Sequence, residues 1–150
     1  MLEALEAFGP AAFFRSSIYL YPVVNLIHVL AIGGLVTAAV LMDLRVLGLG
    51  KGLPAVTVIS YLRPVAITAI IVAILSGLTL FSVQPVDYFA NPAFRVKMIL
   101  LVLAVLNATL FTSFRAHRSP ADFGTKFMAV ASVCLWISVA FSGRMIGFLG

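Results

Sequence analysis

Apolar residues fall into four runs, roughly residues 18–42, 64–83, 94–114 and 126–149, separated by polar connections that carry glycine and proline. A helix needs about 20 residues to cross a hydrocarbon core of ~30 Å, so each run predicts one transmembrane helix. The connections leave no room for a second domain. The pattern therefore predicts an all-α integral membrane protein, a four-helix transmembrane bundle forming one domain over residues 1–150. Before the first run, Leu2, Leu5 and Phe8 alternate with Glu3 and Glu6 and end at Gly9-Pro10. That stretch lacks the basic start of a cleavable signal and predicts a short N-terminal helix lying in the interface.

Local signals agree with this division. Asn91-Pro92 offers an N-cap with proline at the first helical position, which starts the third run. Ser119-Pro120-Ala121-Asp122 gives a comparable start before the fourth, with Asp122 placed like the acid of a capping box. Pro22 and Pro64 are expected near helix starts, where a missing amide hydrogen matters least. Trp136 lies deep in the fourth run, whereas Tyr19, Tyr21, Tyr88 and Phe89 suit an interfacial belt.

Composition confirms the class: 63% of the 150 residues are hydrophobic and 10% charged, with a mean hydropathy of +1.16. The net charge of +5 does not point to nucleic acid, because the cations cluster at the ends of the runs. Arg45, Lys51, Arg63, Arg115, Arg118 and Lys126 lie on one side, against Arg15, Arg95, Lys97 and Arg144 on the other. The positive-inside rule then puts both termini outside the cytoplasm. Cys134 is the single cysteine, so no internal disulfide forms, and it is expected as a small buried packing residue.

Polar residues within the runs carry whatever chemistry there is. Tyr21, Asn25, His28 and Ile32 recur at three- and four-residue spacing and form one helical stripe. His28 is costly in hydrocarbon unless it faces the protein interior and finds a partner. Asn25, one turn away, is placed to hold its ring. By helix rise His28 lies roughly 15 Å below the outer boundary, and Lys97 and Arg144 about 5 to 8 Å below it. This pattern suits a haem b with its iron on His28 and its propionates on Lys97, Arg144 or Arg95. Gly33, Gly34 and Gly77 would leave room for the macrocycle. His117 lies too deep to share that iron, which leaves a five-coordinate haem, a methionine such as Met98 or Met145 reached by tilting, or a ligand from another subunit. In the alternative account His28 is structural, hydrogen-bonded to Asn107 or to a serine across the bundle. The five acids lie outside the runs or at their ends, which argues against an ion-coupled transporter, and no hydrolytic constellation is present.

The run Phe94-Arg95-Val96-Lys97-Met98-Ile99-Leu100-Leu101, continuing to Asn107, resembles the third span of small bacterial membrane proteins of the copper-resistance protein D family. His28 followed by Gly33-Gly34 and Asp43-Leu44-Arg45 is also similar to HemJ-type protoporphyrinogen oxidases. The chain departs from the latter where Asn107 stands in place of a histidine. The resemblance implies a four-span haem-binding or metal-handling membrane protein, with His28 and Lys97 as the carried-over positions. Met42, Met98, Met128, Met145 and Cys134 are too scattered to form a copper ladder. The expectation is a cytochrome b-like protein passing electrons between a redox partner and the quinone pool. It would act in the lipid bilayer as a homo-oligomer or as a subunit of a larger complex. The alternative is a non-enzymatic membrane subunit or copper-handling protein in which His28 is structural or a transient metal ligand.

Overall fold

The computed structural model describes residues 19–50, 52–115 and 122–148. The expected interfacial helix over the first dozen residues, together with His117 and Ser119-Pro120-Ala121, lies outside them. Helices α1 (Leu20–Val46), α2 (Ala55–Val83), α4 (Pro92–Arg115) and α5 (Phe123–Met145) each contain a stretch long and apolar enough to cross a membrane. A six-residue helix, α3 (Pro85–Ala90), joins α2 to α4. Four crossings bring the start of α1 and the end of α5 to the same side, called here the His28 end. The opposite side is the Asp43 end.

Helix boundaries follow local chemistry. At the start of α4, the Asn91 side chain accepts the Ala93 amide at 2.9 Å, the cap expected of Asn91-Pro92. Asn91 is itself buried, and its amide also donates to the Ile146 carbonyl at 3.2 Å, tying α4 to the end of α5. α1 runs past Met42 to Val46 and closes with Gly48 at φ 99°. There the Leu49 amide bonds the Leu44 carbonyl and the Gly48 amide bonds that of Arg45, the paired bonds of a Schellman motif. The extension carries Asp43 inside the helix and places His28 in its first half, eight residues after Leu20 and eighteen before Val46.

One expectation about helix starts is corrected. α2 begins at Ala55, after Pro54, so Pro64 is an internal residue rather than a starting one. The residues before it must satisfy their own backbone near the membrane, and helix is the conformation that does so despite one missing donor. Asp122 is the N-cap residue of α5 and makes no capping hydrogen bond there with its side chain, while the turn expected from Ser119 lies outside the described residues.

Packing joins two hairpins, α1 with α2 and α4 with α5, along a third contact between α1 and α5. Among the described residues the backbones of α2 and α4 do not pack directly. They are linked at the His28 end by Phe81 stacked on Phe94, centroids 5.5 Å apart, with Tyr88 of α3 against both rings. The Tyr88 hydroxyl meets that of Tyr21 at 3.0 Å. Burial and the neighbouring Tyr21 hydroxyl hold the Tyr88 phenol above its ordinary titration range.

The core is a plug at mid-bundle made of Leu35, Ala39, Ala104, Trp136 and Val139. Ala104 and Ala129 are fully enclosed, small residues that let α4 and α5 approach closely. Trp136 lies in this core as its depth in the fourth run suggests. Cys134 instead is exposed on the outer face of α5, correcting its expected burial. Two residues separate it from Trp136, which turns it through about 200° on a helix, away from the core.

Candidate functional site

Residues from three helices meet at the His28 end. The His28 ring leaves α1 toward α2, where its Nδ1 lies 2.9 Å from Ser76 Oγ. The Ser76 hydroxyl donates its single hydrogen to the Val72 carbonyl at 2.6 Å, with the Ala73 carbonyl at 3.3 Å. Toward the histidine it can therefore only accept, so Nδ1 carries the proton and the lone pair of neutral imidazole sits on Nε2. The Ala73 carbonyl is a further acceptor beside the ring. Ser76 is buried, so its position is set by packing as well as by its bonds.

Gly77 makes the approach of the ring possible. A Cβ at this position would stand 2.9 Å from His28 Cε1, closer than real side chains come. The glycine thus accommodates the histidine itself rather than a macrocycle. Gly34 faces Ala69 of α2, and Gly33 points outward with nothing within 4 Å of a built Cβ.

Lys97 belongs to the same layer. Leu35 and Ala104 share the core plug. His28 and Lys97 each precede their core residue by seven positions, about 10 Å along helices that run in the same direction. The separation in depth expected between a deep His28 and a shallow Lys97 is therefore absent, because register between helices is set by packing and not by counting from span ends. The half-buried Lys97 side chain crosses Gly143 of α5, where a Cβ would meet Nζ at 3.4 Å and Cδ at 3.6 Å. It is close enough to His28 for the two to interact electrostatically. Among the described residues it forms no ion pair.

The other expected site residues do not converge. Asn25 is exposed, and the ring is held by Ser76 in its place. Arg95 is exposed and donates to the Ala90 carbonyl at 3.3 Å, while Arg144 lies over the Phe148 ring at 5.0 Å. Asn107 donates to the Met128 carbonyl at 3.2 Å, far from His28. Met98 is exposed and Met145 half-buried. Among the described residues no group of three or more His, Cys, Asp or Glu comes together as a metal site.

Sequence reasoning missed the importance of Ser76 and of Asp43. Ser76 is one of many serines and threonines in the spans, and only the fold shows which of them faces His28. Asp43 is buried at the opposite end of α1 and hydrogen-bonded by Ser132 of α5. Its Oδ2 is buried with no hydrogen-bond partner. Its position three residues before the end of α1 gives the signal that was available, since a carboxylate inside a helix continuing through Val46 is not an end residue.

Residues 15–149 match the model of a family of unknown function, DUF6644, and the chain belongs to that family. No curated protein and no solved structure matches the chain.

Proposed function

We propose that this chain is a small membrane cytochrome b-like protein that binds haem b through Nε2 of His28. The observation that carries the reading is the Ser76 bond to Nδ1, which leaves Nε2 as the ring's acceptor atom. Histidines that bind metal commonly donate their other ring hydrogen in this way, fixing tautomer and orientation. The donor set fits a single bond to iron, and the described residues of that layer supply no second strong ligand. When bound, the haem would supply one-electron transfer. Ser76 would hold the imidazole, Gly77 would let it lie against α2, and the Lys97 ammonium would pair with a propionate. Arg95 and Arg144 stand at the same end but are engaged with the Ala90 carbonyl and the Phe148 ring rather than with His28.

Electrons would pass between a redox partner and the quinone pool. The setting proposed is a bacterial inner membrane, with both termini outside the cytoplasm and the chain acting as a homo-oligomer or a subunit of a larger complex. An activity reporter fused after Gly150 should read as extracytoplasmic; a cytoplasmic reading would invert this topology.

A second reading rests on the same bond. His28 then serves as a clamp between α1 and α2 in a non-enzymatic subunit, satisfied by Ser76 and Gly77. Absorption spectroscopy of detergent-purified protein, expressed with ample haem, separates the two. The haem reading expects a Soret band that His28→Ala abolishes. Absence of the band, or a band unchanged in His28→Ala, rejects the axial role and leaves the clamp.

A further inference from the structure

We infer that Asp43 and Ser132 form a proton-binding site at the Asp43 end of the bundle, with Ser132 donating to one carboxyl oxygen and the bound proton on Oδ2. Asp43 is only 6% exposed, as is Ser132. The two are hydrogen-bonded, and since Oδ2 has no partner the bond falls on the other oxygen. An ionised carboxylate here would leave one buried oxygen without a donor or a cation. Charge in such a position is far costlier than a neutral acid, even one whose hydroxyl makes no hydrogen bond.

Among the described residues no cation faces the group from the elements around it. On α1 itself, Arg45 turns away and donates through Nε to the Leu53 carbonyl at 2.8 Å. On α2 the nearest titratable residues, Tyr61 and Arg63, are exposed. On α5, Lys126 is exposed and Asp122 is another acid. Across the bundle on α4, Asn107 spends its amide on the Met128 carbonyl. A divalent ion would want several oxygen ligands, commonly more than one carboxylate, and no such group of acids is present among the described residues.

Position determines which water the proton exchanges with. Asp43 lies three residues from Val46, the last residue of α1, about 5 Å along the axis. His28 is fifteen residues away in the other direction, about 22 Å, beyond the Leu35, Trp136 and Val139 plug. The acid releases its proton to water at its own end and takes it back from there. No electron moves, and the Ser132 bond is kept in both states. The site is independent of whether His28 binds haem.

Carbon-13 NMR tests this directly on the full chain in lipid. Aspartate occurs at positions 43, 87 and 122 alone, so an Asp87→Asn/Asp122→Asn chain labelled with [13C]aspartate reports on Asp43 without altering it. The expected result at neutral pH is the carboxyl shift of a protonated acid, moving to that of a carboxylate as the pH is raised. A carboxylate shift at neutral pH overturns the proposal. So does an acid signal that converts to carboxylate on adding sodium or calcium at constant pH, which would make the site a cation site. Infrared spectra supply a second reading. The band of a protonated acid should be present, shift in heavy water and disappear in Asp43→Asn; its persistence in that variant assigns the proton elsewhere and rejects the site.

Discussion

The two ends of α1 repeat one arrangement with different outcomes. Each presents a titratable side chain to a serine on a neighbouring helix: His28 to Ser76 of α2, and Asp43 to Ser132 of α5. At the His28 end the ring is half-buried, a lysine shares its layer and Nε2 remains as an acceptor. At the Asp43 end the carboxyl is sealed and no cation faces it among the described residues. A polar group held by a serine is thus suited to binding a ligand where the bundle is loosely covered. Where the cover is complete, the same device favours a neutral group.

Asn25 shows where the cover changes. It lies eighteen residues before Asp43, five full turns, and so points to the same side of α1. Asp43 is covered by α5 on that side, whereas Asn25 is exposed.

The most disruptive test removes what separates the ends. Trp136→Ala, in the middle of the plug, should lower stability by about 3–5 kcal/mol in equilibrium unfolding from mixed micelles. It should perturb both ends; a loss confined to one would show that the plug does not couple them. Gly77→Val should act on one end alone, costing about 1–3 kcal/mol as the new side chain displaces the His28 ring. Nitrogen-15 spectra of His28 should show the loss of its Nδ1 bond while the Asp43 carboxyl signal stays in place.

Paired serine deletions compare the ends on equal terms. Ser132→Ala leaves a buried carboxyl with no donor and should cost about 1–3 kcal/mol, against roughly 0.5–1.5 kcal/mol for Ser76→Ala. Equal losses in the same unfolding assay would remove the distinction between a sealed and a loosely covered end. The smallest effect is expected at Gly33, where a Cβ meets nothing within 4 Å. Gly33→Ala should be neutral or gain about 0.5–1 kcal/mol from helix propensity. A loss there would reveal a contact to that outward face.

Four membrane-spanning helices were legible because hydrocarbon admits few alternatives to a continuous helix, and the apolar runs mark where they lie. Asn91-Pro92 was legible for a local reason, since an N-cap needs only neighbouring atoms. Pro64 was misread because a proline weakens a helix without always ending it. His28 announced itself by its cost in an apolar run, but Ser76, Gly77 and Lys97 did not. Their relation to it depends on the register of α2 and α4 against α1, which spacing along one strand of sequence does not contain.

Taken alone, the order of residues determined the class of the protein, the number of its spans and the one position, His28, where polarity is most costly. Tertiary packing decided that Ser76 and not Asn25 holds the histidine, that Lys97 shares its layer, and that Asp43 is sealed. The reason is physical: crossing a bilayer is a property of one segment, whereas a site is made by the relative rotation and depth of several.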